Sequence, residues 1–237
     1  MDLPYKRIVL KLSGEALAGP KGSGIDPDRA ESIAEKVKAI HDLGIQVAIV
    51  IGAGNLWRGS IGVSRGMEQS VADHMGMIAT VMNGLALQDA LERLDVFTRV
   101  QTAVQMNAVA EPYIRLRAIR HMEKGRVVVI AGGTGNPYFN TDTAAALRAM
   151  EIKADIVIKA TQVNGVYSAD PKKDPTATRY ATLTYQQVIE NKLNVMDMTA
   201  FTLCEENKMP ILVVDFWADG DLLLAVKGDH SVGTLIS

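Results

Sequence analysis

Two lysines in this sequence stand where buried apolar runs are predicted to end as strands. Lys11 closes the first such run, and Lys159 closes a later one. A polar loop follows Lys159 and contains Thr161, Tyr167 and Asp170, which could frame a purine and a ribose. Ligands of layered α/β proteins bind beyond the carboxyl ends of the strands. The two lysines therefore indicate a site for a nucleotide phosphate.

Two glycine-rich segments follow other predicted strands, at 52–55 and 132–136. Glycines leave backbone amides unobstructed, so both segments could cradle an anion. Neither segment matches the dinucleotide pattern Gly-x-Gly-x-x-Gly leading into a helix, and the sequence contains no Walker motif. If the protein transfers phosphate, it is expected to do so without a P-loop.

Composition excludes several classes of function. The 25 basic and 27 acidic residues give a net charge of -2, so no global field would attract nucleic acid or an anionic membrane. The single Cys204 excludes an internal disulfide and fits a reducing compartment. The four histidines are scattered without metal-ligand spacing, so no protein metal site is predicted. With no signal leader and no apolar run of membrane-spanning length, we expect a cytoplasmic protein.

The order of predicted elements indicates an α/β fold. Continuous β-branched runs predict strands covered on both faces, at 8–12, 45–51, 127–131, 156–159 and 211–216, with a short strand at 234–236. Helices are predicted from Asp26-Pro27 to Gly44, over about 67–94, and after 111–112, 141–142, 184 and 197. This alternation predicts one domain over 1–237, a three-layer αβα sandwich with a mostly parallel central sheet.

The long helical stretch at 67–94 is apolar on more than one face. A single packed face would not need that coverage, so the stretch is predicted to be an oligomer interface. Gly76 and Gly84 weigh against one unbroken helix, because glycine is unfavourable in helix interiors. Asp197 is expected to cap the helix that follows it.

Several motifs carry a family resemblance. They are Lys11 to Glu15, Gly54 to Gly59, Ala72 to Met77, Gly132 to Thr143, Lys159 to Thr161, and the loop Asn164 to Pro171. Together they resemble the bacterial uridylate kinases of the amino acid kinase family, over essentially the whole chain. The resemblance implies the amino acid kinase-like fold and transfer of the γ-phosphoryl group of MgATP to UMP, a step of pyrimidine nucleotide biosynthesis. It also implies a homohexamer built from dimers, with GTP as a possible activator and UTP as a possible inhibitor.

The resemblance also implies which residues bind which ligand. The ATP set is Lys11, Leu12, Ser13, Gly14, Gly54, Arg58, Thr161, Tyr167 and Asp170. The UMP set is Ala53, Asp73, Thr134, Gly135, Asn136, Pro137, Tyr138, Phe139, Asn140 and Thr141. The GTP effector segment would be Gly19, Pro20, Lys21, Gly22, Ser23 and Gly24, which could otherwise be a flexible surface loop. Family members commonly have glycine where this sequence has Ala53, whose main-chain contact would survive unless it needs positive φ.

Phosphoryl transfer to a phosphate acceptor explains why no general base is evident. The second pKa of a phosphate monoester is about 6, so the acceptor is already anionic at neutral pH. Lys11 and Lys159 are assigned to the transferring phosphoryl group, and Arg58 to the charge of the nucleotide phosphates. Asp142 is expected to orient both lysines, the alternative being an acid that favours its helix dipole. Magnesium would be held mainly by phosphates and water.

Two alternatives stay open at this stage. Another kinase of the same family could act on a carboxylate or carbamate acceptor, although Arg58, Asp73 and the stretch 136–139 oppose that reading. A storage or sensor protein on the same fold could bind ATP without turnover. Lys11, Lys159 and Asp142 together argue against it.

Overall fold

The computed structural model describes residues 3–193 and 195–237, which form nine strands and eight α-helices. The strands are β1 Arg7–Leu12, β2 Gln46–Ile51, β3 Thr98–Thr102, β4 Glu111–Pro112, β5 Val127–Ala131, β6 Ile156–Thr161, β7 Thr182–Leu183, β8 Ile211–Asp215 and β9 Gly233–Ile236. The helices are α1 Pro27–His41, α2 Gly59–Ser64, α3 Gln69–Arg93, α4 Arg115–Glu123, α5 Thr141–Glu151, α6 Tyr185–Glu190, α7 Met198–Glu206 and α8 Asp221–Val226.

All nine strands belong to one sheet, in the order β4-β3-β5-β2-β1-β6-β8-β9-β7. Every pairing is parallel except that of β8 with β9, which is antiparallel. The central strands are rich in Val and Ile and are buried on both faces, as parallel strands under helices must be. The predicted α/β fold with a mostly parallel sheet is confirmed.

The sheet separates two hydrophobic cores. One core packs α1, α3 and α8 against the first face, and the other packs α4, α5, α6 and α7 against the second. Side chains alternate between the faces along each strand. In β1, for example, Ile8, Leu10 and Leu12 enter the first core and Val9 enters the second. This alternation decides which strand residues can meet α5.

Local sequence explains where the first helix begins and ends. Asp26 caps α1 by accepting hydrogen bonds from the amides of Asp28 and Arg29, and Pro27 occupies the first helical position. The chain leaves the helix through Gly44, whose φ of 84° lies in the left-handed region. These features follow the sequence expectation closely.

Helix α3 is a single 25-residue helix, which confirms the long helix predicted over about 67–94 and shows that its two glycines do not break it. A Cβ at Gly84 would lie 3.2 Å from Val100 Cγ1 and 3.4 Å from Val129 Cγ1. The glycine therefore lets the helix approach the sheet closely, and burial offsets its low helix propensity. The opposite side of α3 exposes the apolar residues Val71, Met75, Ile78 and Met82.

The sequence interpretation missed β3, β4, β7 and α2. Strand β3 was overlooked because Thr98, Gln101 and Thr102 are polar, yet all three side chains are buried. β6 runs two residues beyond Lys159, to Thr161. Among the described residues, no helix combines the length and apolar character needed to cross a bilayer.

Candidate active site

Strand register places Lys11 beside Lys159. The two residues are direct neighbours in the parallel pairing of β1 with β6. Val9 and Val157, two residues earlier on each strand, belong to the core that includes α5. Because side chains repeat every second residue along a strand, both lysines face the α5 side of the sheet.

Asp142 meets both lysines from the first turn of α5. The Asn140 side chain caps this helix, accepting hydrogen bonds from the amides of Asp142 (2.9 Å) and Thr143 (3.2 Å). Asp142 Oδ1 lies 2.6 Å from Lys11 Nζ, and its Oδ2 lies 2.8 Å from Lys159 Nζ. Lys11 and Asp142 are each only 9% exposed. Two ammonium groups and one carboxylate thus form a buried cluster with one excess positive charge.

The cluster is electrostatically suited to an anion. Burial alone would raise the pKa of Asp142, but the attraction of Lys11 and Lys159 outweighs it and holds that pKa below its ordinary value. The carboxylate therefore stays ionised at neutral pH. Burial lowers the pKa of Lys159, and Lys11 adds to the effect, while Asp142 opposes it. Lys159 shares the Asp142 carboxylate with Lys11, while Asp197 also favours the charged form of Lys159, and a bound anion would stabilise that form further.

The lysines open into two adjoining cavities of about 530 and 720 Å³, which share Lys159, Thr161 and Asp170 among their lining residues. We call the pair the lysine cleft. From the predicted ATP set it is lined by Lys11, Leu12, Ser13, Thr161, Tyr167 and Asp170. Trp217, absent from that set, lines the smaller cavity.

Three members of the predicted ATP set, Gly14, Gly54 and Arg58, do not line the lysine cleft. Gly14 is buried against the 52–55 loop, where a Cβ would lie 2.6 Å from Gly52 O and 2.7 Å from Gly54 N. Only glycine fits such an approach. Arg58 is exposed and forms an ion pair with Glu15, which lines the cleft. The Arg58 guanidinium therefore lies behind Glu15, which separates it from the lysine cleft.

A smaller cavity of about 200 Å³, here called the Trp57 cleft, lies between α3, α5 and the two glycine loops. Of the predicted UMP set it is lined by Ala53, Asp73, Phe139, Asn140 and Thr141. The others, Thr134, Gly135, Asn136, Pro137 and Tyr138, lie outside this lining in the adjoining loop. Asn140 lines both the Trp57 cleft and the lysine cleft. The amino end of α5 therefore separates the two clefts.

Asp73 ties α3 to the loop before α5. Its Oδ1 accepts a hydrogen bond from Gln69 Nε2, and its Oδ2 accepts one from the Tyr138 amide, both at 2.8 Å. Tyr138 has a φ of 71°, a left-handed conformation that is unfavourable for a bulky residue. Asp73 therefore helps to hold a strained loop at the edge of the Trp57 cleft.

A buried amide pair supports the first glycine loop. Asn83 Nδ2 donates to Gly52 O and to Asn55 Oδ1, each at 2.8 Å, while Asn55 Nδ2 donates to Asn83 Oδ1 and to Gly24 O. Asn83 is fully buried, and sequence reasoning missed its role. The sequence did offer one sign of this role, because Asn83 is an amide side chain in the middle of a largely apolar helix. Ala53 does not have a positive φ, so its main-chain contact is not prevented by the side chain.

The segment 19–24 lies beside the lysine cleft. Gly19 and Gly22 line a cavity of about 520 Å³ together with Arg29 and Trp217, and Trp217 also lines the lysine cleft. The far end of the segment is fixed, because the Gly24 amide donates to Asn55 O at 2.9 Å. The segment is therefore connected to the 52–55 loop through Asn55.

Asp197 caps α7, as expected, through a hydrogen bond from the Ala200 amide to its Oδ1. The same oxygen accepts a hydrogen bond from Thr143 Oγ1 at 2.9 Å, which connects α7 to the first turn of α5. Asp197 also lines the lysine cleft, and its Oδ2 is buried without a hydrogen-bond partner among the described residues. The capping pattern alone did not reveal that this carboxylate reaches the site.

Comparison with known proteins places this geometry in context. The sequence model of the amino acid kinase family matches residues 6–215. The crystal structure of UMP kinase from Bacillus anthracis is 41% identical, with a TM-score of 0.95, covering 99% of this chain and 96% of that one. The UMP kinase structure from Ureaplasma parvum is 37% identical, with a TM-score of 0.90 and 98% coverage of both chains. The uridylate kinase structure from Archaeoglobus fulgidus is 31% identical, with a TM-score of 0.75, covering 97% and 99% respectively.

Proposed function

This chain belongs to the amino acid kinase family, and from that membership we propose that it transfers the γ-phosphoryl group of MgATP to UMP, giving UDP and ADP. The observation that carries the proposal is the convergence of Lys11 and Lys159 on Asp142, between two clefts. The likeness to UMP kinases over almost the full length of both chains supports UMP as the acceptor. The product would enter pyrimidine nucleotide biosynthesis.

The lysines address the main barrier to this reaction, which is repulsion between two polyanions. One like-charge pair at about 4 Å costs ~1 kcal/mol in water and ~4 kcal/mol at an effective dielectric near 20. In the proposed mechanism, Lys11 and Lys159 contact the transferring phosphoryl group and the bridging oxygens, where they offset the charge of the transition state. The excess positive charge of their cluster with Asp142 favours this use.

Asp142 acts as a positioning residue in this proposal. Its two oxygens hold the two ammonium groups at a fixed separation, so neither lysine must be immobilised when the substrates bind. Arg58 would exchange Glu15 for a nucleotide phosphate, an exchange that its exposure permits. No general base is assigned, since the attacking oxygen of UMP is already anionic near neutral pH, the phosphate having a second pKa of about 6.

ATP is assigned to the lysine cleft and UMP to the Trp57 cleft, with their phosphates meeting near Asn140. Magnesium bound with ATP would neutralise part of the phosphate charge and be held mainly by phosphate and water oxygens. The donor set fits such an ion, because the carboxylates of Asp170 and Asp197 line the lysine cleft. Within the described residues, no cluster of three or more potential ligands would hold a metal by itself.

We also propose that the chain, as one domain, assembles into a homohexamer built from dimers. The exposed apolar side of α3, with Val71, Met75, Ile78 and Met82, supports this assembly because water contact with such a surface is unfavourable. GTP is proposed as an activator at the segment 19–24, and UTP as an inhibitor. A cytoplasmic location is proposed because the assigned substrates, UMP and ATP, are intracellular nucleotides.

A coupled assay tests the proposed reaction. The purified protein with MgATP is offered UMP, CMP, acetylglutamate or aspartate, and ADP formation is measured. Turnover that is strongest with UMP is expected. Turnover with a carboxylate acceptor instead would favour another reaction of the family, and ATP binding without turnover on any acceptor would favour a sensor or storage protein. Lys11→Met and Lys159→Met controls should abolish the turnover.

A further inference from the structure

Arg148, on α5, is a charged residue that the proposed chemistry does not use, yet it is only 5% exposed. Arginine is rarely buried to this degree unless it is paired. Its Nη1 donates to Glu151 Oε2 at 2.8 Å, and its guanidinium carbon lies 4.1 Å from the centroid of the Tyr113 ring. The Tyr113 hydroxyl donates to the same Glu151 oxygen at 2.7 Å. Salt bridge and stacking together fix the plane of the guanidinium.

The other terminal nitrogen of Arg148, Nη2, reaches the second glycine-rich segment, residues 132–136. Its Nη2 donates to Gly133 O at 3.2 Å and to Thr134 O at 3.4 Å. The loop needs such support, because Gly132 and Gly133 both have left-handed conformations, with φ of 76° and 59°. Glycine loses more conformational freedom on folding than other residues, so ordering this turn has a high entropic cost. Arg148 therefore holds the turn that leads from β5 into the loop before α5.

Peptide geometry shows what this support achieves. In a trans peptide the carbonyl and the following amide N–H point in opposite directions. Because Arg148 binds the Gly133 carbonyl, the Thr134 N–H is directed to the other face of the turn. Among the described residues, the amides of Gly133 and Thr134 donate to no protein acceptor. Consecutive free amides in such a turn form a binding site for an anionic or carbonyl oxygen, and Gly133 lines the Trp57 cleft.

We propose that Arg148 is a positioning residue for the acceptor, holding the Gly133–Thr134 peptide so that its N–H, next to the free Gly133 amide at the wall of the Trp57 cleft, binds an oxygen of the acceptor nucleotide. The inference rests on the proposed function, which assigns the Trp57 cleft to the acceptor. Arg148 does not touch the nucleotide in this arrangement. It acts through the carbonyls behind the turn, and its charge also polarises the peptides whose N–H groups face the ligand.

Steady-state kinetics of the full-length protein test the inference. Arg148→Met removes the fork, and Arg148→Lys keeps a charge but lacks the planar fork. The KM for UMP should rise at least about 10-fold in Arg148→Met, because hydrogen bonds to charged groups are among the stronger ones. Arg148→Lys should fall between wild type and Arg148→Met. The KM for ATP and kcat at saturating UMP should change less than about 3-fold, since no contact with the lysine cleft is altered.

The controls separate positioning from general destabilisation. Arg93→Lys alters an exposed arginine paired with Asp89 on α3 and should leave both KM values unchanged. If Arg148→Met does not fold, Glu151→Gln, which weakens the support of Arg148, should still raise the KM for UMP selectively. The shift in thermal midpoint caused by UMP alone should shrink in step with the rise in KM.

The possible failures are distinguishable. Folded Arg148 variants with an unchanged KM for UMP, or with equal rises for UMP and ATP, would overturn the positioning role while leaving the proposed function intact. A wild-type protein that neither turns over UMP nor is stabilised by it would refute the proposed function itself.

Discussion

Replacing Asp142 by asparagine is the most direct test of the lysine cluster. The substitution preserves the shape of the side chain but removes the one negative charge between Lys11 and Lys159. In the wild type each ammonium group contacts one oxygen of the Asp142 carboxylate, so the two lysine nitrogens are on the order of 5 Å apart. Their repulsion at that separation is about 3 kcal/mol at an effective dielectric near 20. The wild type carries the same repulsion but offsets it by the attraction of both ammonium groups to Asp142, and loss of that attraction should cost the ~3–5 kcal/mol expected when a buried ion pair loses one partner.

Two measurements follow from that estimate. The free energy of unfolding should fall by about 3–5 kcal/mol, and kcat should fall about 100-fold or more, as when a preorganised charge contact is lost. The KM for ATP should stay within about 3-fold of wild type or decrease, because the cluster becomes more positive and still attracts phosphate. A selective loss of kcat is the signature of misplaced lysines. A loss confined to KM would instead indicate a binding role.

The pH dependence of stability supplies a second readout. The pKa of Asp142 is lowered in the folded protein, mainly because Lys11 and Lys159 outweigh the effect of burial. The ionised Asp142 carboxylate therefore contributes fully to the free energy of unfolding above the unfolded-state pKa of about 3.9, and this contribution is lost as pH falls through the lower folded-state pKa. The difference in stability between wild type and Asp142→Asn should shrink at acidic pH.

Asp89→Asn provides a matched control, since Asp89 is exposed on α3 and forms an ion pair with Arg93. It should change stability by less than about 0.5 kcal/mol and leave kcat unaltered. A folded Asp142→Asn protein with wild-type kcat would refute the idea that this carboxylate orients the lysines. So would equal effects of the two substitutions.

Three further predictions concern other parts of the site. Asp73→Ala should raise the KM for UMP about 10-fold with little effect on ATP, because it releases the Tyr138 amide; equal effects in steady-state kinetics would contradict the assignment. Asn83→Ala should lower the free energy of unfolding by about 2–4 kcal/mol in chemical denaturation, since it leaves Gly52 O without its buried donor, and a change below about 0.5 kcal/mol would exclude that support. Burial lowers the pKa of Lys159, so kcat/KM for ATP should decline with rising pH before the ordinary lysine pKa of about 10.4 is reached, and Lys159→Arg should remove this decline. A pH profile that declines only at the ordinary lysine value would contradict this role of Lys159.

Local features of the sequence were sufficient to predict much of the fold. Runs of Val and Ile long enough for one strand identified β1, β2, β5, β6 and β8, because strands covered on both faces need continuous apolar side chains. Asp26 and Pro27 marked the start of α1 through capping chemistry that involves only neighbouring residues. The same reasoning failed for β3, because Thr98, Gln101 and Thr102 are polar yet buried, so the strand has no continuous apolar run.

The site was less predictable from the sequence than the fold was. The sequence by itself determined that Lys11 and Lys159 lie at the carboxyl ends of buried strands and that Asp142 lies near the start of a helix, since these features depend on residue type and spacing. Only the tertiary structure decided that the three side chains meet, because strand register and the docking of α5 bring together residues that are 131 and 17 positions apart. The support of the glycine loops by Asn83 and Arg148 also emerged only in three dimensions. A buried polar side chain is informative only when its partners are known, and those partners are set by packing between elements, not by the residues next to it in the sequence.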